Sequence, residues 1–322
     1  MPHYSPHAAA ASDAKQGSPA DFSSPPDVAS SLPFVPGVRL DLGAVSDTGK
    51  VRENNQDAYL VCRLGRTLDR LLSNLPETAL SARVEESGHI LMVADGMGGM
   101  AAGEVASYTA ITSGIQQVLA APRWALRLDD PSTRDTEIQL MWERGRGYLA
   151  GIHAAVKGRA AAEPALKGMG TTFTSAFSVG TDLFLIHVGD SRAYLYSDGG
   201  IQRITRDHTL AQQYVDLGVF TESDPAARKF RHILTQAVGG PQDELQADLH
   251  ALRVVDGDRL LLCSDGLTNE LKDEEIAGVL GRSATSQEAC DELLKLALER
   301  GARDNVTTVV VGFKVEGTPA QG

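Results

Sequence analysis

Four aspartates stand at the ends of apolar, strand-like runs. Ile90-Leu91-Met92-Val93-Ala94 stops at Asp95, and Gly96-Met97-Gly98-Gly99 follows. Leu260-Leu261-Leu262-Cys263-Ser264 stops at Asp265-Gly266. Two mirror-image runs begin with the acid: Asp57 leads into Ala58-Tyr59-Leu60-Val61, and Asp304-Asn305 into Val306-Thr307-Thr308-Val309. A carboxylate at the lip of a buried strand is a costly place for a charge, because leaving water disfavours the ionised form. A bound cation offsets that cost, and oxygen donors select hard divalent ions such as Mg²⁺ or Mn²⁺. The recurrence predicts that the four strand ends converge on a shared metal site. A fifth acid, Asp190, follows the run Leu183–Val188 and Gly189. Arg52, five residues before Asp57, can grip a phosphate through two parallel hydrogen bonds, which an ammonium cannot do.

Competing chemistries fit less well. Ser191 has no Gly-x-Ser-x-Gly elbow around it, so a serine nucleophile is disfavoured. Gly43 to Lys50 misses the phosphate-binding loop: five residues rather than four separate its glycines, and Val51 stands where Ser or Thr is required. Gly96-x-Gly98-x-x-Ala101 matches a dinucleotide fingerprint, but Asp95 would face the pyrophosphate with like charge. A lone Asp-Gly pair is a common turn former; it is the repetition that argues for a site.

The elements that must position these residues can be read from periodicity. Leu40, Leu42 and Ala44 alternate with polar neighbours, predicting a strand from Val38. Ala101 to Leu119 reads as a helix limited by Pro122, and 136–156 as a second one with Ile138, Met141, Trp142, Leu149 and Ile152 toward the core. Residues 64–87 predict a short helix and a loop without chemistry. Gly170-Thr171-Thr172 opens a strand through Val179, paired as a hairpin with Asp182–Val188. Residues 205–240 change character and, lying between strands, predict a mobile surface flap: Arg206-Asp207-His208-Thr209 caps a helix to Leu217, and the polar stretch 221–231 and a Gly239-Gly240 turn follow. Asp258–Ser264 is a buried strand, Thr285-x-x-Glu288 opens a helix ended by Gly301, and Val306–Phe313 is the last strand.

Composition bounds the function classes. The 322 residues are 42% hydrophobic and 22% charged, ordinary for a globular protein. A net charge of −12 argues against a nucleic-acid partner. No run approaches the ~20 apolar residues of a membrane span, and no secretory signal opens the chain. Cys62, Cys263 and Cys290 match neither zinc spacing nor a disulfide framework. A cytoplasmic monomer is expected. Residues 1–37, rich in Ala, Ser and Pro, predict a disordered tail; 38–315 form the domain, and 316–322 a short polar tail.

Side by side, Arg52-Glu53-Asn54-Asn55-Gln56-Asp57, Asp95-Gly96-Met97-Gly98-Gly99, Gly170-Thr171-Thr172, Gly189-Asp190-Ser191-Arg192, Ser264-Asp265-Gly266 and Asp304-Asn305 resemble the PPM-type (type 2C) metal-dependent serine/threonine protein phosphatases in their bacterial form. The resemblance spans nearly all of residues 39–313. It implies an α+β fold, a four-layer αββα sandwich with two central antiparallel sheets flanked by helices. It also implies two Mn²⁺ or Mg²⁺ ions: Asp95 bridges them, the Gly96 carbonyl completes one site, and Asp265 and Asp304 hold the other. Asp57 would ligate through water or orient the site from outside the ligands, and Asp190 would contribute to a weaker third ion. A metal-bridged hydroxide would then attack phosphorus in line while Arg52 neutralises the phosphoryl oxygens, with no phosphoenzyme. The implied substrates are phosphoproteins, among them a bacterial serine/threonine kinase and its targets. Relatives often carry a proton-donating histidine where this chain has Met97 or Met100, and neither thioether can donate. Gln56 replaces an acid common in animal members, as bacterial relatives accept. A pseudophosphatase scaffold of the same fold is the alternative, favoured only by the missing histidine.

Overall fold

The computed structural model describes residues 37–75, 82–99, 102–121, 128, 130–221 and 224–316. Almost all of both predicted tails, together with Met100 and Pro122, lies outside the described residues. In chain order the elements are β1 (Val38–Asp47), β2 (Asp57–Asp69), β3 (Arg83–Met97), α1 (Ala102–Ala120), α2 (Pro131–Ala162), β4 (Gly170–Thr171), β5 (Phe173–Val179), β6 (Asp182–Val188), β7 (Arg192–Ser197) and β8 (Gly200–Arg203). Then come α3 (Leu210–Asp216), β9 (Asp248–Arg253), β10 (Arg259–Cys263), α4 (Asp265–Thr268), α5 (Asp273–Arg282), α6 (Ser286–Arg300) and β11 (Val306–Val315).

Two sheets result. One runs β1-β11-β10-β7-β8; the other runs β2-β3-β5-β6-β9, with β4 added beside β3. β1 with β11, β10 with β11 and β7, and β5 with β3 and β6 all pair antiparallel. The continuous apolar runs exist because their strands are covered on both faces. Leu91 and Val93 of β3 meet Leu260 and Leu262 of β10 and Val309, Val311 and Phe313 of β11 between the sheets. On its other face β3 presents Ile90, Met92 and Ala94 to Ala106 and Ala110 of α1 and Ile152 and Val156 of α2. Leu261 and Cys263 of β10 and Val306 and Val310 of β11 face Ile276 and Val279 of α5 and Leu293 and Ala297 of α6. Three apolar layers between four layers of structure make the αββα sandwich expected.

Two stretches differ from their sequence reading. Residues 64–87 form no helix among those described. β2 and β3 continue instead, because Ala58, Leu60, Cys62 and Leu64 keep a period of two toward the core. Helix α2 extends beyond 136–156 at both ends. Asp130 caps it by accepting from the Ser132 N–H at 2.8 Å, with Pro131 pre-set for the first turn. The capping box of α6 forms as read: Thr285 accepts from the Glu288 N–H at 3.2 Å and the Glu288 carboxylate accepts from the Thr285 N–H. The chain divides into two compact units, and the larger, 33–68 with 84–322, holds both sheets. In the smaller unit the Arg70 N–H donates to the Ala82 carbonyl at 2.9 Å.

Candidate active site

Each predicted acid stands at the end of a strand. Asp57 is the first residue of β2, Asp95 lies two residues before the end of β3, and Asp190 is in the turn from β6 to β7. Asp265 opens α4 directly after β10 and Ser264, and Asp304 precedes β11. The ends meet. The Asp95 carboxyl feels Asp57, Asp265, Asp190 and Asp304. Arg52 donates through Nη2 to Asp304 Oδ2 at 2.7 Å and lies within the field of Asp95 and Asp265. All seven sequence-predicted site residues are thus brought together, with Gly96 following Asp95 on the strand.

Neighbouring residues hold each acid in place. The Asp95 N–H donates to Thr172 Oγ1 at 2.9 Å, and its carbonyl accepts from Thr171 Oγ1 at 2.8 Å and from the Thr172 N–H at 2.9 Å. The Gly170-Thr171-Thr172 motif therefore clamps the backbone of the central aspartate. Gly96 donates its N–H to the Gln56 carbonyl at 3.1 Å. A Cβ there would stand 2.1 Å from the Gly103 oxygen, so only glycine fits. Gly266 is set the same way, 2.0 Å from the Asn305 oxygen. Asp265 accepts from Asn269 Nδ2 at 3.0 Å, and Ser264 Oγ donates to Asp57 Oδ2 at 2.7 Å.

Asn305 has a role that its place in the sequence does not announce. Its amide, 4% exposed, accepts from the Gln56 N–H at 2.8 Å and donates to the Thr48 and Asn54 carbonyls at 2.9 and 3.0 Å. It fixes the loop carrying Arg52 to the start of β11. A buried amide beside a site acid was the available signal; its partners, some 250 positions away, were not visible.

The electrostatics suit a cation. Burial is the largest cause pushing up the carboxyls of Asp57, Asp95, Asp190 and Asp265, and neighbouring acids add to it. Asp57 reaches about 7 even though hydroxyls of Ser264 and Thr307 oppose the rise. Its Oδ1 is buried with no hydrogen-bond partner, an oxygen suited to a positive charge. The donor set is all oxygen, which matches Mn²⁺ or Mg²⁺. Among the described residues no three His, Cys, Asp or Glu side chains close on a common metal position. Hard cations that keep several water ligands need no closed protein cage. Asp190, Asp265 and Asp304 line a cleft of about 800 Å³, and Thr209, Ala227, Arg228 and His232 of the predicted flap form another part of its wall. The flap is packed by Tyr214, Phe220 and Phe230, with ring centroids 5.2 to 6.0 Å apart. Met97 packs beside Gly170 and offers no proton.

Comparison with known proteins bears on the family. The family model described as Protein phosphatase 2C matches residues 77–308. The serine/threonine protein phosphatase PstP of Mycobacterium tuberculosis is 36% identical over 278 residues, 84% of this chain; the chain spans 44% of that relative's length. Protein phosphatase PhpP of Streptococcus pneumoniae is 28% identical over 281 residues, 86% of this chain and 99% of the relative. Among solved structures, the PstP catalytic domain in complex with two manganese ions superposes with a TM-score of 0.65 at 32% identity, covering 86% of this chain and all of that one. The serine/threonine phosphatase Stp1 of Staphylococcus aureus gives 0.67 at 29% identity, covering 89% and 99%. The chain belongs to the protein phosphatase 2C family.

Proposed function

We propose that the domain 38–315 hydrolyses phosphoserine and phosphothreonine esters of proteins, in the cytoplasm and as a monomer, with two Mn²⁺ or Mg²⁺ ions and a weaker third. The observation supporting this most directly is the set of strand-end carboxylates gathered from both sheets around Arg52. Asp95, Asp265, Asp304 and the Gly96 carbonyl would hold the cations. Asp57 would act through water or from outside the ligands, and Asp190 would hold the third. Bound there, the cations would neutralise phosphoryl oxygens and acidify water. The rest is the work of the chain. One Nη of Arg52 is taken by Asp304, and the other guanidinium donors remain to orient the phosphoryl group. The cleft would take the peptide on either side of the ester. No described residue is assigned as general acid, since Met97 occupies the position near the Asp-Gly pair. Phosphoproteins, among them a bacterial serine/threonine kinase and its targets, are the proposed substrates.

Hydrolysis of a phosphothreonine peptide with and without Mn²⁺ tests this reading. Asp95→Ala and Asp304→Ala are each expected to lower kcat/KM by about two orders of magnitude or more. Activity surviving chelation and both substitutions would overturn the mechanism. A pure, Mn²⁺-supplied wild type without activity would instead favour the scaffold alternative.

A further inference from the structure

A cavity of about 120 Å³ lies between the α1–α2 pair and the helix-covered face of the second sheet. Ile90, Met92, Phe173, Phe177 and Trp142 form most of its apolar wall. Gly114 of α1 and Gly145 of α2 also face it. Glycine inside a helix is destabilising relative to alanine, yet crowding demands it at neither position. A Cβ on Gly145 would meet only Ile186 Cδ1, at 3.6 Å. One on Gly114 would meet Ile152 and Met92 at 3.4 Å and Phe173 at 3.7 Å. Side chains there would fit, and they would fill the space.

Arg144, Ser175 and Tyr148 bring polar groups to the wall of the same cavity. Ser175 of β5 is 8% exposed, and among the described residues its hydroxyl has no hydrogen-bond partner. The hydroxyl keeps some accessible surface, so it is open to a hydrogen bond from a ligand. Arg144 of α2 is half-exposed and, among the described residues, has no ion pair or hydrogen bond through its guanidinium. Gly145, beside Arg144, stands over Ile186, and Ile186 pairs with Ser175 across β5 and β6. Arg144 and Ser175 thus both line this largely apolar space.

We propose that this cavity binds a small carboxylic acid with a ring-sized apolar body, its carboxylate taken by Arg144 and Ser175. An apolar cavity of about 150 Å³ holds benzene, and this one of about 120 Å³ suits a single ring or a short branched chain. The site is separate from the acidic cleft and takes a different chemical class.

The test uses the full chain, with benzoate as probe and toluene as its uncharged counterpart, read by calorimetry and ligand-observed NMR. Benzoate is expected to saturate with a Kd below about 1 mM. Arg144→Met should weaken benzoate tenfold or more and leave toluene unchanged, Ser175→Ala should weaken benzoate several-fold, and Gly145→Leu should abolish both. Gly114→Val replaces the last variant if circular dichroism shows it unfolded. No saturation of wild type by about 10 mM, binding that persists in the filled variant, or equal loss of both probes in Arg144→Met overturns the proposal.

Discussion

A Cβ on Gly96 would lie 2.1 Å from the Gly103 oxygen and 2.7 Å from the Gln56 oxygen, and one on Gly266 would lie 2.0 Å from the Asn305 oxygen. Those neighbours are backbone atoms and cannot swing aside. Gly96→Ala and Gly266→Ala should each cost ~1–3 kcal/mol of stability and shift the adjacent aspartate, lowering phosphatase activity. Urea midpoints and peptide hydrolysis check this, and an unchanged midpoint in either variant contradicts the crowding argument. The Asp-Gly pairs were plain in the sequence, but the reason for the glycine was not, because the crowding atoms come from other segments. His187 carries a second prediction at this scale. Its Nε2–H donates to the Arg206 carbonyl at 3.1 Å and its Nδ1 accepts from Thr174 Oγ1 at 2.8 Å, a pairing for neutral imidazole. Burial, then the ring of His208 at 5.0 Å, pushes it down to about 4 against the pull of Asp207 and Asp248. The unfolded chain therefore binds a proton between pH ~6.5 and 4 that the folded chain refuses, and stability falls as pH drops through that window. The contribution at stake is ~3 kcal/mol. His187→Gln should show a shallower fall in urea midpoint from pH 7 to 4.5 than wild type; equal slopes would remove His187 as a cause.

Between elements, the fork of Arg192 does what no local signal announced. Nε and Nη2 donate to the two Asp207 oxygens at 2.9 and 2.6 Å, and Nη1 donates to Tyr194 Oη at 3.1 Å. Tyr194 Oη in turn donates to Asp273 Oδ1 at 3.0 Å. β7 is thereby tied both to the segment entering α3 and to the start of α5. Burial alone would raise the Asp207 carboxyl, but the guanidinium holds it below its ordinary value. Asp207→Ala strands a buried cation and should cost ~3–5 kcal/mol. Amide exchange in residues 205–240 should quicken more than in β10 and β11; uniform quickening would mean that the pair stabilises the fold without anchoring the flap. Local signals elsewhere were legible: the Thr285–Glu288 box and the Thr209 cap of α3 depend on residues three apart. The reach of β2 was legible too, in the alternation from Ala58 to Leu64, but polar residues beyond it suggested a loop. The packing of Tyr214, Phe220 and Phe230 was not, since aromatic contacts across a loop leave no periodicity.

For the whole molecule, the acids come from both sheets: Asp57, Asp95 and Asp190 from ends of the β2-β3-β5-β6-β9 sheet, Asp265 and Asp304 from β10 and β11 of the other. That convergence could be inferred from one repeated pattern, an acid at the lip of a doubly buried strand, because the same desolvation penalty falls on each. It would also make cation binding a property of the assembled sandwich, since unfolding scatters the strand-end acids. A cation at a hundredfold excess over its Kd would add ~2.7 kcal/mol to the unfolding free energy, so Mn²⁺ should raise the wild-type Tm by several degrees. Proton linkage sets the pH dependence. Asp57, Asp95, Asp190 and Asp265 have carboxyls raised in the folded chain, so without metal the folded state holds protons that the unfolded state has lost. Its stability then declines as pH rises from the unfolded carboxyl range up to and through the raised folded values. A cation must displace those protons, so the Mn²⁺-induced rise in Tm should be larger at pH 8 than at pH 6. Asp95→Ala removes the carboxylate that feels the other four acids, and should abolish most of the rise. A Tm shift of equal size at both pH values and in Asp95→Ala would mean that Mn²⁺ binds elsewhere on this acidic chain and that the strand-end acids serve another purpose.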